Sequence, residues 1–346
     1  MTSYEHLPWL QVVGVNETRL VDPGRMSQLV KALRDPINQR PSTIMLIGRN
    51  AKNAALEDIF PDNHAFESRS CEGITTLRVD NESAGSAHPI FFAESSPDQA
   101  ISWVDSSDTE SFPLQWAEET TRQTLCSLLH ARLLCLFTDL FFIFADDFAN
   151  FDQVIRLLES WATAGSASVF NQVRSRVVIV RCEDEVSVSP TYDILRMENL
   201  QQGLHQESLK EFFSSIKVLH LAAEQKTPLA GFRRLKELLR RELEEMRRIR
   251  QNLGCLFSAT HLSHFFRMAV AHTATSLNQP FDFVLASRRG NEVQPDFEHH
   301  ITRFLELGLK HKASQDTLMT FVASGILLDA YSPKMHGKKP SANQAT

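Results

Sequence analysis

The string Gly48-Arg49-Asn50-Ala51-Lys52-Asn53-Ala54-Ala55 is the first place where residue types and spacing bear on chemistry. It follows an apolar run, 43–48, that reads as a buried strand ending in glycine, and it opens a helical stretch over 51–60. At such a junction backbone N–H groups close around phosphates. A lysine then reaches the terminal phosphates and a Ser/Thr hydroxyl binds Mg²⁺. Counted from Gly48, the second glycine of such a loop falls on Asn53, the lysine on Ala54 and the hydroxyl on Ala55. Lys52 supplies a cation nearby, but nothing supplies the hydroxyl, so the pattern is incomplete.

Other reactive groups carry less. Asp146-Asp147 follows the apolar run 140–145, at the sheet edge where α/β proteins collect their sites. Asn150 or Asp152, ahead of an apolar helix over 152–163, offers the N-cap and leaves Asp146 and Asp147 in the loop. His261, His264 and His272 share one expected helix, yet His261-Leu-Ser-His264 lacks the H-E-x-x-H spacing and a third ligand, so no metal is assigned. His299 and His300 are adjacent, diverge on a helix and read as solvated. No G-x-S-x-G occurs, Gly165-Ser-Ala-Ser168 lacks the closing glycine, and no Gly-Gly pair exists, so no catalytic residue is assigned. From Arg233 to Arg250 eight basic residues outnumber four acidic ones along a helix with one apolar stripe. Arg240, Arg241, Arg247 and Arg248 are its candidates for contact with an anionic membrane surface or a partner. Ion pairs such as Glu237 with Arg240 and Arg241 offer the plainer reading of a solvated face. Aromatics are absent from that stretch, which disfavours nucleic acid.

The elements that must position these groups follow from composition and periodicity. The chain has 346 residues, 42% hydrophobic and 23% charged, with a formal net charge of -6. That length supports roughly two domains, and the acidic balance argues against a general polyanion binder. No stretch is long and apolar enough for a transmembrane segment, no secretory leader is visible, and five scattered cysteines read as cytoplasmic thiols. Strands are expected near 43–48, 74–79, 88–93, 140–145, 176–180 and 216–221. Helices lie between them, one of them running 113–137. Alternating strands and helices imply right-handed crossovers and a mostly parallel sheet covered on both faces. After 228 the pattern is helical throughout.

The order of these elements, with the strings PSTIMLIG, PIFFAESSPD, ARLLCLFTDLFFIFADD and SRVVIVRCEDE, resembles a GTPase-like P-loop domain. In particular it is similar to the domain that precedes the catalytic domain of many large fungal patatin-like phospholipases. The strings LFSATHL (256–262), PFDFV (280–284) and LLDAYSPKMH (327–336) look like the helical segment that joins the two domains in those proteins. The resemblance implies an α/β fold with a doubly wound, mostly parallel sheet of P-loop NTPase type, followed by an all-helical domain. Its divisions are an approach segment 1–40, an α/β domain 41–227, a helical linker 228–336 and a disordered tail 337–346. It also shows where the family pattern has decayed. The Asp-x-x-Gly string falls on Glu94-Ser95-Ser96-Pro97, where Glu94 keeps a carboxylate and Pro97 has no N–H to offer. The guanine-reading string falls on Arg181-Cys182-Glu183-Asp184, where Asp184 alone matches. Gly48, Lys52, Glu94 and Asp184 are therefore the residual nucleotide contacts that the resemblance implies, with no resident cofactor. The implied role is a non-catalytic regulatory or scaffolding module, a pseudoenzyme attached to lipid metabolism, in the cytoplasm. Two alternatives stay open: a divergent protein that binds or hydrolyses GTP or ATP with Mg²⁺, and a membrane-surface or partner binder acting through 233–250.

Overall fold

The computed structural model describes residues 8–13, 17–63, 75–96, 110–117, 121–170, 172–183, 207–222, 228–287 and 296–330. The chain divides into two compact units, Met1–Phe281 and Asp282–Thr346.

The first unit is organised on a sheet whose central strands are continuous apolar runs because both their faces are covered. β3 (Ser42–Ile47) and β7 (Leu140–Phe144) are buried along their whole length and pair in parallel. β5 (Ile90–Ser95) joins β3 in parallel, and β8 (Arg176–Glu183) and β9 (Ser215–Ala222) extend the parallel half beyond β7. On the other side the direction changes. β4 (Thr75–Val79) runs antiparallel to β5, and β1 (Pro8–Val13), β2 (Arg19–Asp22) and β6 (Glu110–Pro113) continue antiparallel to the edge. Among the described residues the order is β6-β2-β1-β4-β5-β3-β7-β8-β9.

This overturns the doubly wound, mostly parallel P-loop architecture. The class remains α/β, but the sheet is mixed, with antiparallel pairing from β6 through β5. Three of its strands come from segments with no strand signature of their own. One of them, β6, begins within a stretch that no expected element covered, and the helix expected over 113–137 starts only at Arg122. Leu114 and Ala117 mimic its apolar spacing, yet they are buried in the connection that follows β6.

Helices cover both faces. On one face α2 (Asn50–Ile59) and α6 (Pro228–Asn252) pack Leu56, Ile59, Leu235, Leu239 and Leu243 against Ile44, Leu46, Phe142 and Val178. Each such side chain contributes about 1.5–3 kcal/mol by leaving water. Ion contacts hold α6 at its middle and its end. Glu242 meets Lys217 at 2.6 Å and Arg176 at 2.7 Å, and Arg250 meets Asp139 at 2.5 Å. Asp139 also accepts from the Thr43 N–H at 2.9 Å, so one carboxylate joins the start of β3 to the end of α6. On the opposite face α3 (Arg122–Leu129) continues through a π-helical turn, His130–Leu134, and packs with α4 (Phe151–Thr163) and α5 (Glu207–Phe212) around Trp161. The Trp161 ring lies 5.1 Å from Phe141 and 6.3 Å from Phe213. Over the antiparallel half, α7 (Ala259–Thr275) packs on β2, β6 and α1 (Arg25–Ala32) and stacks Phe266 on Trp9 at 5.3 Å.

The helices expected to begin a separate all-helical domain therefore divide. α6 and α7 belong with the sheet, and the second unit holds α8 (Phe283–Ser287), α9 (Phe297–Lys310) and α10 (Gln315–Ala330). An amphipathic stripe reveals that one face is buried, not what it is buried against. The tail 337–346 and Asp184 lie outside the described residues.

Candidate functional site

Neighbouring strands β5, β3 and β7 present their carboxyl ends together. The chain leaves β3 toward β5 on one side and returns to β7 on the other, which makes the crevice between β3 and β7 the topological switch point of the parallel half. Gly48 sits at that point. Its N–H donates to the Ser95 carbonyl at 3.2 Å. A Cβ there would collide with the Asp147 carboxylate and come within 3.0 Å of the Lys52 and Phe144 Cβ atoms, so the close approach demands glycine.

The N-terminus of α2 follows at once, with its unsatisfied N–H groups and positive dipole end. The chain's own carboxylate fills it. Asp147 Oδ2 accepts from the N–H of Arg49 at 2.5 Å and of Lys52 at 3.0 Å, and Oδ1 accepts from Ala51 at 3.0 Å. The local cap expected for the following helix does form: Asn150 Oδ1 accepts from Gln153 N–H at 3.1 Å at the start of α4. Asp147 instead caps a helix almost a hundred residues earlier, which no local motif signals.

The structure brings three of the four residual nucleotide positions together at this edge: Gly48, Lys52 and Glu94. Lys52 is buried, and its Nζ donates to Glu94 Oε2 at 3.3 Å. Arg78 Nε approaches the other Glu94 oxygen at 3.7 Å. The lysine thus carries a carboxylate already, and that carboxylate lies between two cations. Among the described residues no group of three His, Cys, Asp or Glu side chains is placed to hold a metal ion.

Beside Glu94, Ser95 Oγ and His130 Nε2 lie 3.2 Å apart, while His130 Nδ1 is 2.8 Å from the Cys126 carbonyl. A carbonyl can only accept, so Nδ1 carries the proton and Nε2 accepts from the Ser95 hydroxyl. Burial pushes the His130 pKa below the usual histidine range, with the Cys126 bond opposing, which keeps the ring neutral. His130 also stacks on Trp161 at 5.7 Å. Although serine and histidine are paired, Ser95 is only 4% exposed, and the pair ties β5 to the π turn rather than presenting a nucleophile. This pair went unread in the sequence, because its partners meet across 35 residues.

The remaining candidates have partners within the chain. Ser258 caps α7 and contacts His261 Nδ1 at 3.1 Å; burial, then Arg40 and His264, lower the His261 pKa. His300 contacts Asp296 at 3.2 Å on an exposed surface. Along α6 each proposed contact arginine has a glutamate: Arg240 with Glu82 at 3.9 Å, Arg241 with Glu242 at 3.7 Å, Arg247 with Glu244 at 3.9 Å and Arg248 with Glu245 at 2.9 Å. The excess of positive charge seen along the sequence is therefore partly compensated in space. Among the described residues no helix is long and apolar enough to cross a membrane.

No protein-family model matches the chain, and no curated protein matches it. Among solved structures, the siderophore hydrolase EstA from Aspergillus nidulans aligns over 66% of this chain and 93% of its own, at 10% identity and a TM-score of 0.26. At that score the likeness carries no argument.

Proposed function

We propose that this chain is a non-catalytic regulatory or scaffolding module whose ligand crevice is occupied by its own groups. The observation that carries the reading is the Asp147 carboxylate on the amides of Arg49, Ala51 and Lys52. A phosphate entering there would have to displace that carboxylate and part Lys52 from Glu94 before making its first contact. Desolvating and separating charges in this way opposes binding. The sequence strings shared with the region ahead of patatin-like acyl hydrolase domains support a lipid-hydrolysing domain as the module's client. Cytoplasmic residence belongs to the same proposal, and the free thiols of Cys126, Cys135 and Cys255 agree with a reducing compartment.

Thermal melts with millimolar GTP or ATP, with and without Mg²⁺, test the reading. A nucleotide at a hundred times its Kd adds about 2.7 kcal/mol of stability, a shift of several degrees. The expected result is no shift. A Mg²⁺-dependent rise would overturn the self-occupied crevice in favour of a nucleotide-binding site.

A further inference from the structure

The first turn of α7 is fastened by a histidine. Ser258, 3% exposed, caps the helix, and its Oγ accepts from the His261 N–H at 3.4 Å. The same Oγ lies 3.1 Å from His261 Nδ1. A buried hydroxyl that accepts one bond still has its own proton to place. Nδ1 takes it only while the imidazole is neutral with its proton on Nε2. A capping box puts Glu or Gln at this third helical position, where the side chain reaches back to the cap residue. Here the position holds the side chain that changes charge between about pH 5 and 8. The same turn joins α7 to the segment ahead of β3. Ala259 N–H donates to the Gln39 carbonyl at 2.9 Å and Thr260 N–H to the Pro36 carbonyl at 3.2 Å.

The surroundings favour a neutral ring. The helix N-terminus presents its positive end. Arg40, whose Nη1 donates to the Leu256 carbonyl at 2.6 Å, and His264 on the same helix add repulsion. His88 Nδ1 lies 3.3 Å from the Arg40 carbonyl. α1 meets α7 through Ser27 and Ser263 at 2.8 Å, and its charges, Arg25 and Lys31, are both cations. The connection from α6 brings Cys255, whose thiol burial holds neutral. Carboxylates of the neighbouring elements are engaged elsewhere: Asp35 with Asn38 at 2.8 Å, Asp22 with the Gly24 N–H at 2.9 Å and Glu110 with Arg267 at 2.9 Å. We propose that Ser258 and His261 form an acid-sensitive latch. Protonation of His261 leaves the Ser258 hydroxyl without an acceptor, sets a cation beside Arg40 at the positive end of α7, and frees the first turn from segment 36–40. Burial, then Arg40 and His264, hold the folded His261 pKa below its ordinary value of about 6.5. The latch is therefore complete above that value and is lost as pH falls below it, because the freed turn binds the extra proton. The rest of α7 stays seated, with Phe266 on Trp9.

Amide hydrogen exchange on the full chain, read at pH 7.5 and 5.5 and corrected for intrinsic exchange rates, tests the latch. Protection across 258–262 should fall roughly 5-fold at the lower pH, the equilibrium equivalent of one lost cap, while α6 keeps its protection. His261→Gln presents an uncharged oxygen to the same hydroxyl and should hold the turn equally at both values. His261→Arg carries the charge throughout and should leave the turn open at both. Unchanged wild-type protection overturns the proposal, as does an equal fall in α6 or in His261→Gln. So does a first turn as well protected in His261→Arg as in His261→Gln.

Discussion

Replacing Asp147 by alanine removes the acceptor for three backbone N–H groups at the start of α2, which are bonded at 2.5, 3.0 and 3.0 Å. Loss of an N-cap acceptor costs about 0.5–2 kcal/mol. Withdrawing a negative charge from the positive end of a helix adds about 0.3–1 kcal/mol. Arg49 is exposed and water can replace part of its bond, so the two contributions together come to roughly 2 kcal/mol. In a domain of this size that corresponds to a fall in Tm of about 4–8 °C. Asp147→Asn keeps one acceptor oxygen and should lose about half as much. Urea titrations followed by tryptophan fluorescence supply the measurement, since Trp161 is buried in the core of the same unit. The emptied nest also gains a use for free anions. Inorganic phosphate should restore part of the stability of Asp147→Ala and leave the wild type unchanged. Should Asp147→Ala unfold within 0.5 kcal/mol of wild type, the carboxylate does not hold this junction and the argument for a self-filled site fails.

Three further outcomes follow from neighbouring contacts. Gly48→Ala forces a methyl against the Asp147 carboxylate and should cost about 1–3 kcal/mol. The double variant Gly48→Ala/Asp147→Ala should cost less than the two single losses summed, and strict additivity in urea titrations would count against the clash. Glu242→Ala leaves Arg176 and Lys217 without their shared carboxylate, which is 2% exposed. With Lys217 partly in water the expected loss is about 2–4 kcal/mol, and a change below 1 kcal/mol would show that α6 does not depend on that contact. His130 is held neutral by burial, so its folded pKa is depressed while the unfolded chain titrates near 6.5. Its contribution is complete above that value and is lost as pH falls below it, because the unfolded state then binds the extra proton. Stability measured from pH 7.5 down to 5 should fall less steeply in His130→Phe, and an identical slope would remove His130 from the account.

How much of this was legible depends on whether the signal is local. β3 and β7 could be read because burial on both faces leaves an unbroken apolar run. β2 and β6 could not, because four residues such as Glu110-Ser-Phe-Pro113 become a strand only when a neighbour supplies the ladder. The stripe of α6 was visible, but its seat on the sheet depends on Asp139, Arg176 and Lys217, all distant in sequence. At the site, Gly48, Lys52 and Glu94 lie together because adjacent parallel strands align their carboxyl ends. Their charges are nevertheless spoken for by Asp147, Glu94 itself and Arg78, and the Ser95–His130 pair gave no spacing to recognise. Side chains that satisfy one another across the sheet are invisible to any rule about neighbours along the chain.

The stacking of Trp9 on Phe266 sets an order of events during synthesis. The strand bearing Trp9 is made early, yet the helix that covers it leaves the ribosome roughly 250 residues later, about 13–50 s at ordinary elongation rates. Throughout that interval one of the largest side chains of the core has no permanent cover. A nascent chain of this protein is therefore a prolonged client for chaperones that grip exposed aromatics. Slowing translation ahead of α7 would lengthen that exposure and lower the yield of folded chain, with no change in the stability of the finished fold.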